Sequence, residues 1–125
     1  MLDHDAVSEQ QLSRAIMEGH AFGAITREDI VDNISLYWLT NTAVSSARLY
    51  WENTFGFFIA KDISIPVAVS VFPGERYQAP RSWTERAYHN LIYYNQPDQG
   101  GHFAAWEQPH IFSEEVRAGL RPLRK

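Results

Sequence analysis

The spacing of apolar residues changes character along the chain. In the opening stretch, residues 1–26, Val7, Leu12, Ala15 and Ile16 recur at loosely helical intervals until Gly19 interrupts them, which predicts a short helix. From Thr26 onward Ile30, Ile34, Tyr37 and Trp38 line one helical face. Thr26 is the predicted N-cap. Asp29 stands three residues on, in the place of the glutamate of a capping box, and Glu28 and Asp29 suit the positive end of the helix dipole. The pattern breaks near Asn41 and resumes through Val44, Ala47, Leu49 and Trp51 as a second helix that should end near Gly56.

The second half reads differently. "IPVAVSVF", residues 65–72, is a short valine-rich run with the look of a strand buried on both faces, as in a parallel sheet. Turn residues Pro73 and Gly74 follow. "PRSWTERAYH" places a proline ahead of a helix-forming stretch, "NLIYYN" is a second strand-like run, and "FSEEVRAGLRPLR" is a last amphipathic helix with Ser113 as candidate cap. Strand, loop, helix, strand, loop, helix is the order of parallel strands joined by a right-handed crossover. The expected class is therefore α/β.

Ligands of such sheets bind beyond the carboxyl ends of the strands. Two loops leave those ends: "PGERYQAP" carries Glu75, and "NQPDQGG" leads to His102. This places an acid and a histidine on one rim, within hydrogen-bonding reach. A carboxylate that accepts from imidazole Nδ1 fixes the tautomer and leaves Nε2 as a base toward a nucleophile or water. Position alone leaves other roles open. Glu75 also reads as a solvated turn carboxylate and His102 as a structural histidine, while Asp98, four residues before His102, is a rival acid and equally a turn former beside Pro97 and Gly100. His4, His20, His89 and His110 show no ligand spacing with acids or with each other, so no metal site is expected.

The bulk properties narrow the function. A chain of 125 residues, 45% apolar and 21% charged, is a soluble globular type of single-core size. A formal charge of −4 with scattered Lys and Arg offers no stripe for phosphates, so nucleic acid is not an expected partner. The basic tail "RPLRK" receives no function. With no cysteine, thiolate catalysis and disulfides are excluded. Neither a signal-peptide pattern nor an apolar run long enough to span a bilayer is present, so a cytoplasmic location and no membrane segment are expected. An attacking group is not visible: the one elbow-like pattern, "GHAFG", has Ala21 at its centre, and Ser45 and Ser46 fall inside a predicted helix.

The runs "LYWLTNTAVSSARLYWEN", "VSVFPGERYQAPRSW" and "GGHFAAWEQP" resemble the C-terminal portion of epoxide hydrolases of the microsomal type and their bacterial relatives, within the α/β-hydrolase fold. The resemblance runs over essentially the whole chain, and the pairing of Phe-Pro-x-Glu with Gly-Gly-His-Phe-Ala-Ala is specific. It implies that residues 1–55 are the end of a helical cap with its return helices, and that residues 56–125 are the last two strand-helix units of the core. It further implies His102 as catalytic base, Glu75 as its acid, and Tyr50 as one of two tyrosines that hydrogen-bond the oxygen of a small apolar epoxide. Read from the residues alone, Tyr50 is a core aromatic. In the implied reaction an aspartate attacks an oxirane carbon and a His-activated water then cleaves the alkyl-enzyme ester to give a vicinal diol, with no cofactor.

The implied nucleophilic aspartate, oxyanion-hole segment and second tyrosine would lie upstream of residue 1, which makes this a partial hydrolase. A two-stranded piece of a parallel sheet leaves an edge unpaired and apolar surface uncovered. Trp38, Trp51, Phe55, Phe57 and Phe58 are expected at that surface, so self-association or complementation by an N-terminal fragment is expected as well. Two other functions compete with the hydrolase segment: a non-catalytic remnant or association module, and part of an esterase with an upstream serine.

Overall fold

A computed structural model of the chain describes residues 14–15, 17–19, 23–53 and 63–124. The chain divides into two compact units, Met1–Ile59 and Ala60–Lys125.

In the first unit Arg14, Ala15, Met17 and Glu18 are helical; Val7, Leu12 and Ile16 of the predicted opening helix lie outside the described residues. Helix α1 spans Arg27–Thr40. It begins as the sequence predicts: the Asp29 N–H donates to Thr26 Oγ1 at 3.2 Å, and the Thr26 N–H donates back to Asp29 Oδ2 at 2.8 Å. Asn41 ends the helix in the left-handed region (φ 53°, ψ 41°), where asparagine is one of the few residues at ease. Helix α2, Ala43–Glu52, follows at once. Ser45 and Ser46 spend their hydroxyls on the backbone of this helix, donating to the carbonyls of Thr42 and Ala43. Trp38 and Trp51 are exposed, as are Leu39 and Val44. Phe55, Phe57 and Phe58, and the predicted helix end at Gly56, lie outside the described residues.

In the second unit the order is β1 Val67–Ser70, α3 Arg81–Ala87, β2 Leu91–Asn95, α4 Ala104–Glu107 and α5 Pro109–Leu120, closed by a 3₁₀ turn over Arg121–Leu123. The two strands pair in parallel, with Ala68, Val69 and Ser70 opposite Tyr93, Tyr94 and Asn95. Successive residues of a strand face opposite sides, and β2 shows which helix covers which side. Tyr93 donates to Glu115 of α5 at 3.0 Å, whereas Tyr94 lies under Arg81 of α3, its hydroxyl donating to Ala79 O at 2.8 Å. The sheet therefore lies between α3 and α5. This is the expected α/β layering.

Three expectations need correction. The strand expected over 65–72 is four residues long: Val71 still donates its N–H to Asn95 O at 3.0 Å, and the chain then turns away through Phe72 and Pro73. The strand is half-buried and not buried on both faces: Val67, Val69 and Ser70 are partly covered and Ala68 is exposed. The last helix begins at Pro109 and not at Ser113. Proline at the first helical position has the right φ and no N–H to satisfy, and the Ser113 hydroxyl instead donates to His110 O at 2.8 Å.

On the α5 side one carboxylate gathers three donors. Glu115 accepts from Ser70 Oγ at 2.6 Å, Asn95 Nδ2 at 2.7 Å and Tyr93 Oη at 3.0 Å. Ser70 and Asn95 are the last residues of β1 and β2, so a single side chain ties both strand ends to the helix above them. Burial pushes the Tyr93 phenol above its ordinary value, and the neighbouring carboxylate pushes it the same way.

Beyond those strand ends the chains pair once more. Gly74 and Gly101 form an isolated parallel bridge, with the Gly74 N–H donating to Gly100 O at 2.9 Å. The backbones are nearly in contact: a Cβ on Gly74 would stand 2.9 Å from Gly101 Cα and 3.1 Å from Gly100 O. Only glycine fits that approach without moving the chain.

Two measurements check this. Gly74→Ala should lower stability by about 1–3 kcal/mol through forced separation of the two loops, read as a drop in the urea midpoint. Because the Tyr93 phenol is raised in the folded state, its contribution is complete below the unfolded value of about 10 and is lost as pH rises through the folded value. Stability should therefore fall on the alkaline side of about pH 10, and Tyr93→Phe should lessen that fall in urea titrations from about pH 9 to 12.

Candidate active site

Each strand delivers one chemical group to the rim just past the glycine bridge. The turn Phe72-Pro73-Gly74-Glu75 is closed by the Glu75 N–H donating to Phe72 O at 3.1 Å, and its outer side is held by Gln78, whose Nε2 donates to Pro73 O at 2.6 Å. On the other strand Asn95 leads through a bend to Gly100, Gly101 and His102. Glu75 and His102 are thus the residues that immediately follow the two bridged glycines. Their backbones start out side by side.

Their side chains meet. His102 Nδ1 lies 2.9 Å from Glu75 Oε1 and 3.1 Å from Oε2, both good hydrogen-bond distances. A carboxylate accepts and does not donate, so the contact selects the imidazole tautomer with hydrogen on Nδ1 and a lone pair on Nε2. Among the described residues Nε2 has no protein partner, and the histidine side chain is 41% exposed. The Phe103 ring stands edge-on to the imidazole with centroids 5.0 Å apart. Such a pair can take a proton from water at Nε2 while the carboxylate steadies the cation that results. By itself it forms no covalent bond to a substrate.

Glu75, and not Asp98, is the acid at His102; Asp98 lies exposed in the bend before Gly100. Tyr50, a core aromatic on its residues alone, is instead exposed, in α2 of the first unit. His110 does face an acid, contrary to expectation: its Nδ1 is 3.6 Å from Glu114 Oε2, one turn along α5, with both side chains well exposed. His4 and His20 lie outside the described residues. Among the described residues no group of three or more His, Asp or Glu could hold a metal ion, and no helix is long and apolar enough to cross a membrane.

Two acids that support the rim escape sequence reasoning. Glu115 is one of an adjacent pair, and its partner Glu114 points to solvent; only the packing of α5 tells them apart. Glu107 is buried at 7% exposure, and its Oε1 accepts the Phe103 N–H at 2.9 Å. Its signal is spacing: an acid four residues beyond a helix-starting residue can fold back onto that residue's N–H.

No family model matches the chain. A protein of Stigmatella aurantiaca, provisionally named an epoxide hydrolase, is 52% identical over 107 residues, 86% of this chain and 24% of its own length. Epoxide hydrolase 1 of Oryctolagus cuniculus is 32% identical over 108 residues, 82% of this chain and 24% of its own. Among solved structures, the juvenile hormone epoxide hydrolase of the silkworm Bombyx mori superposes with a TM-score of 0.70 at 30% identity, over 79% of this chain and 26% of that one. The chain thus spans about a quarter of the length of the relatives it matches. By sequence and by fold the chain matches one segment, about a quarter, of epoxide hydrolases of the α/β-hydrolase type.

Proposed function

We propose that this chain supplies the base and its orienting acid to an epoxide hydrolase site that adds water to an apolar oxirane. The observation that carries the reading is the 2.9 Å contact between His102 Nδ1 and Glu75 Oε1, at the carboxyl-end rim of a parallel sheet. The kinship with epoxide hydrolases supplies the substrate class.

In this reading an aspartate carboxylate outside residues 1–125 attacks one oxirane carbon. The C–O bond breaks, and the alkoxide takes a proton from the phenol of Tyr50 and its companion tyrosine. A phenol of pKa about 10 gives up its proton readily to an alkoxide, which is far more basic. Water then loses a proton to His102 Nε2 and attacks the ester carbonyl. The vicinal diol departs, the aspartate is restored, and the imidazolium held by Glu75 returns its proton to the tyrosinate. Glu75 keeps the ring in the productive tautomer throughout and needs no proton of its own.

The test exchanges this chain for the matching quarter of the Stigmatella aurantiaca protein and follows styrene oxide conversion. The hybrid should form diol with turnover. His102→Gln in the hybrid should still open the epoxide once per site and then stall as the ester, with turnover reduced by about 10²–10⁴; unchanged turnover would contradict the role of His102. The 125-residue chain alone should form no diol. Diol from the chain alone would show that its nucleophile lies within these residues.

A further inference from the structure

We propose that Glu107 is a positioning residue for His102, acting through the peptide bond that follows the histidine. The inference rests on the reading of His102 as the base.

The backbone around His102 is fixed at both of its neighbours. Before it, Gly101 is pinned against Gly74 by the parallel bridge. After it, the N–H of Phe103, which belongs to the His102–Phe103 peptide, donates to Glu107 Oε1 at 2.9 Å. The carbonyl of Phe103 is held as well, accepting the N–H groups of Trp106 at 2.7 Å and Glu107 at 2.8 Å. The four-residue helix α4 therefore closes on the residue that precedes it, with its last side chain folded back onto that residue's amide.

The same carboxylate reaches Gly101. A Cβ there would stand 3.1 Å from Glu107 Oε2 and 3.2 Å from Oε1. Glu107 thus lies against both flanks of the histidine, touching one as a hydrogen-bond acceptor and crowding the other so that a side chain there would have to displace it.

Burying a carboxylate is unfavourable unless it makes compensating bonds. Here the bond goes to the amide whose plane is set by the ψ angle of His102. With the His102 ring partly exposed and restrained by a single carboxylate, the direction of the imidazole depends on how firmly that backbone is held.

The role depends on reach, and that separates it from a charge effect. Glu107→Gln would keep an acceptor oxygen at the same distance, whereas Glu107→Asp leaves the carboxylate one methylene too short to meet the Phe103 N–H. The experiment uses the whole chain, with ¹⁵N-labelled histidine, and reads the His102 ring tautomer from nitrogen shifts together with exchange of the Phe103 amide. In the unaltered chain the Phe103 amide should exchange about tenfold more slowly than an open amide of the same loop. Glu107→Gln should retain the Nδ1–H tautomer, and Glu107→Asp should shift the ring toward a mixture with Nε2–H. An unprotected Phe103 amide, loss of the tautomer in Glu107→Gln, or its retention in a folded Glu107→Asp chain overturns the proposal. Should the aspartate variant not fold, the exchange rate and the glutamine variant still decide. None of these readouts involves an epoxide, so failure of this inference and failure of the hydrolase reading appear in different experiments.

Discussion

The approach of Gly74 to Gly101 is the constraint on which the site depends. Two backbones come within a Cβ's width of each other just past the strands, before the loops have room to diverge. One residue farther along each chain stand Glu75 and His102. Their 2.9 Å contact follows from that starting separation and a choice of rotamers, with no long loop to be ordered first. A site built this way is preorganised by the sheet, since the bridge adds one more parallel pair beyond β1 and β2.

Two acids then stiffen the frame at successive depths. Glu115 binds the last residues of both strands to α5 through Ser70 and Asn95. Glu107 takes the amide after His102. Neither carboxylate has a cationic partner in these contacts. Each is satisfied by neutral donors, an arrangement that fixes geometry through directed hydrogen bonds. The buried side chains of the second unit include Val71 and Phe72, which lead into the acid's turn, and Ala104 and Glu107, which follow the histidine, so the packing is tight where the chemistry needs precision. In contrast, α1 and α2 present Trp38 and Trp51 to solvent.

Much of this was legible in the residues. Thr26 with Asp29 marked a helix start, Asn41 a helix stop, and the two valine- and tyrosine-rich runs a crossover pair, because each depends on local sequence. The shared rim of Glu75 and His102 followed from topology: parallel strands point their carboxyl ends the same way. The close contact of Gly74 with Gly101 was not legible, since a glycine in a turn looks the same whether or not another backbone lies against it. Helix α4 has too few residues to show a period, and Ser113 looked like a cap because Pro109 could as easily have belonged to the loop before it. The inward acid Glu115 was hidden for another reason: its donors Ser70, Tyr93 and Asn95 are distant in sequence, whereas Glu107 folds back onto an amide four residues before it and left a trace in its spacing alone.

The central claim, that the glycine contact sets the acid–histidine pair, is tested most directly by the Nδ1 proton of His102 itself. In cold water at neutral pH that proton should appear as a slowly exchanging low-field resonance in the unaltered chain, and should vanish in a folded Gly74→Ala chain although Glu75 and His102 are both intact. A resonance that persists unchanged with alanine at position 74, or that is missing from the unaltered chain, would contradict the account.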